Sequence, residues 1–553
     1  MQVTDASLSP GTQDPSTPRR WTRLAAFWAT PTGKIITLAT VLAVGLRILT
    51  LTQAGYLRGV TEYDDGVYLG ATIRLLQGVV PYRDFALVQP PGILLLTTPV
   101  AAFAQAFSTV KALALARILT ALASAACVPL AGSLVRYRGS VVTLVTCGLL
   151  AVYPPDITTA HTLLLEPWMN LFLLLGTAAA FRRGALASPR RLAWAGAAIG
   201  FAVSIKFWAA LPAAVVLGLC LSRPERRPAA LRRFLPGVAA GFLVPVLPFL
   251  LSAPDAFWRS TIADQATRAS VAVPIAVRFA YVTGTLDLLN SKGQVSLVAG
   301  SHSMYAASWA EHVNLSAGVG WLPYTAAALI AAGIAAGYWF QRRRLTQLEV
   351  LGLVISVLSS AAILGYSAFY YHYPDFPAPW LAISMGCAAG ALAGRPVIRP
   401  VLMVALSVLF VVIGGMQYRD THTSVEPETQ NVSHLIPPGA CLITDEVSLA
   451  IAADRFTDRP PRCPVIIDSL AETLVRGNGV SVYGGADQLP KVVGQWRAWF
   501  ARADYVWMSP PRYSDHRIPW TPSLLHWFHR HFRPVNSFSP SIGRLYKRDG
   551  SPR

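Results

Sequence analysis

Asp64 and Asp65 stand side by side in Thr61-Glu-Tyr-Asp-Asp-Gly-Val-Tyr68, just after an apolar run at 35–51. Two carboxylates that close raise each other's proton affinity, so one can act as a base beside an acid, or the pair can hold a cation. A plain helix start is the competing reading, because acids there offset the helix dipole. Glu166 is the second candidate. It lies in Thr162-Leu-Leu-Leu-Glu-Pro167, and an acid at the centre of a membrane span costs about 2.5–3.5 kcal/mol, so it belongs at a span's edge with a partner. An acid with Pro167 in a first helical turn also fits a simple N-terminus. Lys206 is the third, an ammonium in a tight turn between the apolar runs 192–205 and 207–221. It either snorkels to the surface or meets an anion.

The elements that must position these groups are membrane helices. Of 553 residues, 53% are hydrophobic and only 14% are charged, more apolar surface than one soluble domain can bury. The +19 net charge sits in short loops between apolar runs, which is the positive-inside pattern and not a nucleic-acid surface. Those loops carry Arg136/Arg138, Arg182 to Arg191, Arg223 to Arg233, Arg342 to Arg344, and Arg395/Arg399. All five fall on one side, with the N-terminus, only if the run 91–107 does not cross. That run is marginal for a ~30 Å hydrocarbon core and opens on Gln89-Pro-Pro-Gly, which starts a segment and does not continue one. A polytopic α-helical membrane protein with about 11 spans is therefore expected, with 52–112, 155–166, 252–317, 366–376 and 417–553 on the outer side.

Residues 1–33 read as a disordered cytoplasmic tail and 34–416 as the transmembrane domain. Within the outer segment 252–317, the stretch Phe257 to Arg268 mixes aromatic and basic residues in the manner of a helix at the lipid headgroups. From about 417 the composition is that of an extracytoplasmic α/β domain. Its expected strands are Ala440–Thr444, Pro464–Asp468 and Asp504–Ser509, with helix at Gln495–Arg502. Cys441 and Cys463 lie in this part and pair as a disulfide if it faces an oxidising compartment. Cys127, Cys147, Cys220 and Cys387 lie in spans as small core residues.

Asp64-Asp65-Gly-Val-Tyr68, Pro90-Pro91-Gly92, Glu166-Pro167 and Lys206, in that order and ahead of a C-terminal globular part, resemble the GT-C superfamily of membrane glycosyltransferases. The likeness is greatest to the protein O-mannosyltransferase and lipid A aminoarabinose transferase branch. It covers roughly residues 35–250 by motif and the rest by architecture, and an Arg-rich basic set with only six Lys points to a GC-rich, actinobacterial kind of genome. The resemblance implies a polyprenyl-phosphate-linked sugar as donor and a cell-envelope glycan, lipid or protein as acceptor. Asp64 would be the base, with Asp65 and Glu166 tuning or positioning it. Lys206, backed by Arg83, Arg259 and Arg268, would bind the donor phosphate. The chemistry is sensible: the lipid phosphate leaves, positive charge builds at the anomeric carbon, and a carboxylate takes the acceptor's proton. No cofactor is obligatory, and a divalent cation on Asp64, Asp65 and Glu166 stays open. The chain departs from the branch at Asp65, where Glu is usual, and at Gln89, where Lys or His is usual. Two other functions compete, a lipid-linked sugar transporter or flippase and a non-catalytic envelope scaffold. Acids gathered at one face without repeated halves weigh against the first, and intact Asp64, Glu166 and Lys206 weigh against the second.

Overall fold

Apolar runs fold as helices here because lipid offers no partner to a free backbone N–H or C=O. The computed structural model describes residues 27–53, 55–266, 273–285, 321–393, 397–420, 429–457, 460–481, 485, 488–515, 517–539 and 542–550. The tail 1–26, Arg268 and most of the expected 252–317 segment lie outside the described residues. The helices are α1 (Pro31–Leu51), α2 (Tyr63–Leu76), α3 (Gly92–Ala106), α4 (Thr109–Val135), α5 (Ser140–Val152), α6 (Leu165–Ala180), α7 (Pro189–Ile205), α8 (Ala210–Leu221), α9 (Leu235–Ser252), α10 (Leu322–Gln341), α11 (Gln347–Gly365), α12 (Ala378–Ala393) and α13 (Ile398–Asp420). By length and composition, 6 described helices are long enough to cross a membrane. The expected total of about 11 also counts α5, α6, α7, α8 and α12, which have 13, 16, 17, 12 and 16 residues. At 1.5 Å per residue these reach only about 18–26 Å.

The basic loops meet at one end. Arg138 and Arg343 both pair with Glu349, at 2.8 and 2.6 Å, the Leu186 N–H donates to Gln347 Oε1 at 2.8 Å, Arg226 donates to the Ala187 carbonyl at 2.9 Å, and Arg399 reaches Ser140 at 3.4 Å. Helix α3 belongs to the opposite end. Just before it the Ala86 N–H donates to Glu472 at 2.7 Å, and just after it the Thr109 N–H donates to Asp454 at 2.8 Å. Both acceptors belong to the C-terminal part, so the two ends of α3 lie against it.

Helices α7 and α9 pack in parallel through Gly196-x-x-x-Gly200 and Gly237-x-x-x-Gly241. A Cβ on Gly196 would stand 2.2 Å from the Phe234 carbonyl oxygen, and one on Gly200 2.1 Å from that of Val238, so only glycine admits this backbone approach. The parallel run, with α8 returning between them, brings the end of α7 and Lys206 to the face that carries α3.

The C-terminal part holds a sheet ordered β3 (Leu442–Thr444), β4 (Tyr505–Met508), β6 (Arg544–Arg548), β5 (Phe532–Pro534), after a two-residue hairpin β1 (Phe181–Arg182) and β2 (Ala185–Leu186) in the helical body. Strand β3 runs parallel to β4, and β6 is antiparallel to both β4 and β5. The expected strand Pro464–Asp468 is not one. It joins no ladder, because Pro464 has no N–H to give and Asp468 turns to cap helix 469–476, accepting from the Ala471 N–H at 2.9 Å. Two strands that were not expected, β6 beside β4 and the edge strand β5 beside β6, complete the sheet, and Trp496, Phe500 and Phe528 pack with Phe532 of β5. Cys441 and Cys463 are joined by a disulfide.

Candidate active site

Helix α2 begins at Glu62, whose carboxylate accepts from the Tyr63 N–H at 2.9 Å. Asp64 and Asp65 follow in the first turn, and neighbours on a helix point about 100° apart. Their roles therefore separate. Asp65 is fully buried against Arg117 of α4, with Nε and Nη2 at 3.0 and 2.5 Å, and it also accepts from the Leu163 N–H at 2.5 Å. Arg117 Nη1 donates to the Tyr56 and Gly59 carbonyls. This pair fastens α2 to α4 and to the loop before α6. Asp64 is partly exposed and receives the Tyr68 hydroxyl at 3.3 Å, one turn on. Burial pushes its carboxyl up to about 7, helped by repulsion from Glu62 and opposed by His372.

Glu166, at the start of α6, sits with Lys206 and His372. Its Oε1 lies 2.5 Å from Lys206 Nζ and 2.8 Å from His372 Nδ1, while its buried Oε2 has no partner among the described residues. Lys206 is in extended backbone at the break after α7, and its ammonium lies over the rings of Trp208 and Tyr373, at 4.2 and 4.6 Å. One turn beyond Glu166, Asn170 donates to Asp375 at 3.0 Å, and Thr159 donates to the same carboxylate at 2.8 Å. The turn that carries His372 is thus held to α6 at two heights.

The two halves are joined by adjacent residues. Tyr371 donates its hydroxyl to Glu62 and His372 reaches Glu166. Glu62, Tyr371 and His372 belong to this cluster and are not among the residues singled out from the sequence. Their signals are a third acid within Glu62–Asp65 and a lone His in Tyr370-Tyr-His-Tyr-Pro-Asp375. The C-terminal part also grips α2. The Ser448 hydroxyl donates to the Glu62 carbonyl at 2.8 Å and accepts from the Gly66 N–H at 3.1 Å, and Tyr63 donates to Asp468 at 2.9 Å with Arg517 over its ring. At the start of α3, a Cβ on Gly92 would stand 2.4 Å from Ser204 Oγ, which brings Pro90-Pro91-Gly92 beside the turn that carries Lys206.

Arg268 lies outside the described residues, and Arg83 and Arg259 make no contact with this cluster among those residues. Arg83 pairs with Asp84 at 2.8 Å on the surface, and Arg259 is exposed. Their segments meet where the Tyr82 and Phe257 rings lie 4.9 Å apart. Asp64, Asp65 and Glu166 each have different partners, and among the described residues no group of three or more His, Cys, Asp or Glu could hold a metal ion.

No protein-family model matches the chain, and no curated protein sequence does. Solved structures match it in fold. ArnT from Cupriavidus metallidurans, solved bound to undecaprenyl phosphate, superposes with a TM-score of 0.56 at 14% identity, over 93% of this chain and 97% of its own. The archaeal oligosaccharyltransferase AglB from Archaeoglobus fulgidus, in complex with an inhibitory peptide and a dolichol-phosphate, gives 0.54 at 12% identity over 95% of this chain and 75% of its own. The chain thus has helices long and apolar enough to cross a membrane and shares, over nearly its whole length, the fold of ArnT and AglB.

Proposed function

We propose that the protein is a membrane glycosyltransferase that moves a sugar from a polyprenyl-phosphate-linked donor to a hydroxyl of a cell-envelope glycan, lipid or protein. In this reading the eleven apolar helices other than α2 and α3 span the membrane, and the site and the C-terminal α/β part are extracytoplasmic. The observation that carries it is Asp64, a partly exposed carboxyl raised to about 7 by burial, within electrostatic reach of Lys206 and His372, both of which bond Glu166. A carboxyl so raised is a competent base near neutral pH.

Asp64 accepts the acceptor's proton as the new bond to the anomeric carbon forms. Lys206 has three N–H donors and gives one to Glu166, which leaves two for the departing phosphate. Glu166 aims that ammonium, and Asp65 holds α2 in place through Arg117. Arg83, Arg259 and Arg268 serve the donor lipid's phosphate as it approaches.

The test is transfer from a polyprenyl-phosphate-linked sugar by the purified protein in lipid. Asp64→Asn removes the base and nearly keeps the shape, so transfer falls by about 10²–10⁴-fold while donor lipid still binds. Lys206→Ala weakens donor binding instead. Transfer by Asp64→Asn at the normal rate places the base elsewhere.

A further inference from the structure

At the end of the body away from Asp64, a cavity of about 600 Å³ opens between the β1–β2 hairpin, the start of α7 and Arg226. Three guanidinium groups line it, those of Arg182, Arg183 and Arg226, with Leu186 and Pro189 as apolar wall. Arg182 and Arg183 are exposed, and neither has an acidic partner among the described residues. Glu349, the acid buried at this end, is spent on Arg138 and Arg343. Glu225, next to Arg226 in the chain, makes no ion pair among the described residues.

The hairpin is held firmly. The Leu348 N–H donates to the Gly184 carbonyl at 3.1 Å, Gln347 accepts from the Leu186 N–H at 2.8 Å, and Arg226 donates to the Ala187 carbonyl at 2.9 Å. Its tip places Arg183 at φ 49° and Gly184 at φ 83°, the pair of left-handed conformations that a two-residue turn demands and that a residue with a Cβ seldom adopts. The rule that sorts positive charge to one side of a membrane needs charge alone. It requires neither a concave wall nor an arginine held in a disfavoured conformation, and both observations suit a bound anion.

The level of the cavity identifies that anion's source. Trp194 lies one turn into α7 and is 76% exposed, while Trp339 and Phe340, just before Arg342 at the same end, are 77% and 72% exposed. Exposed aromatics of this kind sit among lipid headgroups. We infer that the cavity binds the phosphate headgroup of an anionic phospholipid, with Arg182 and Arg183 as the readers and Arg226 as their support. This site is independent of the transfer reaction proposed above.

The experiment is native mass spectrometry of the full-length protein, with dioleoyl phosphatidylglycerol, dioleoyl phosphatidylcholine and inorganic phosphate as probes. Phosphatidylglycerol should be retained over phosphatidylcholine. The pair Arg182→Gln with Arg183→Gln should weaken retention by about 30-fold, from about 5-fold per arginine. The pair Arg232→Gln with Arg233→Gln removes as much charge from the same end outside the cavity, and should leave it unchanged. Arg183→Gly removes one charge and relieves the turn, so its expected ~5-fold loss keeps the test open if the double variant fails to fold. Equal loss from both glutamine pairs, equal retention of phosphatidylcholine, or displacement of the lipid by millimolar inorganic phosphate overturns the inference.

Discussion

Gly66→Ala tests whether the C-terminal part sets the position of Asp64. The added Cβ would stand 2.3 Å from the Ser448 backbone nitrogen, where ordinary contact begins at 3.4 Å, so the two elements must part by about 1 Å. Gly66 is two residues from Asp64, in the turn whose start Ser448 fixes. A displacement of about 1 Å at a reacting group costs about 10²-fold in rate. Transfer should therefore fall by about that factor, with donor-lipid binding kept, because Lys206, Glu166 and His372 belong to other elements. Ser448→Ala should not rescue the variant, since the closest atom is backbone nitrogen. Gly218→Ala, which meets nothing within 4 Å, is the control. The assay is single-turnover transfer from a polyprenyl-phosphate-linked sugar, with binding measured separately. Wild-type transfer by Gly66→Ala would refute the claim that this contact positions the base.

Two further outcomes follow from the same geometry. Because repulsion from Glu62 helps to raise Asp64, Glu62→Gln should lower the Asp64 pKa and move the acid limb of the transfer rate to lower pH, by about 1 unit; an unmoved limb rejects the pairing. Replacing Cys441 and Cys463 by Ser opens a loop with a sequence separation of 22 and should destabilise the C-terminal part by about 3 kcal/mol in the chain-entropy model. Denaturant unfolding measures that loss, and finding both thiols free by alkylation in unreduced protein would contradict the bridge.

The meeting of Glu166 with Lys206 was legible in the sequence, because a charge inside or beside an apolar run calls for a partner. The start of α3 at Gly92 was legible too, from Pro90-Pro91. The fate of Asp65 was not: Arg117 lies 52 residues away, and only the packing of α2 on α4 reveals that the pair is structural. Tyr371 and His372 were hidden for a different reason. An aromatic run at a span's end reads as an interfacial anchor, and nothing local says that successive side chains reach opposite acids. At Pro464 the pattern of apolar residues suggested a strand, but a ladder needs partners on a neighbouring strand, and the sequence does not say who they are. Arg83 and Arg259 were read as cations that back Lys206 at the donor phosphate, and the bond of Arg83 to its own neighbour Asp84 is beyond charge counting.

The bonds that grip α2 and flank α3 have a consequence for inheritance. Tyr63 to Asp468, Ser448 to Glu62 and Gly66, Arg74 to the Phe456 carbonyl, Ala86 to Glu472 and Thr109 to Asp454 all join the stretch 62–109 to the last quarter of the chain. The unit that recombination can exchange intact is therefore discontinuous, made of two pieces more than three hundred residues apart. A chimera cut at the obvious boundary near 420 would separate complementary surfaces and bring the carboxylate of Asp64 under a foreign roof, whereas one that also transplants 62–109 would carry the whole joint with it.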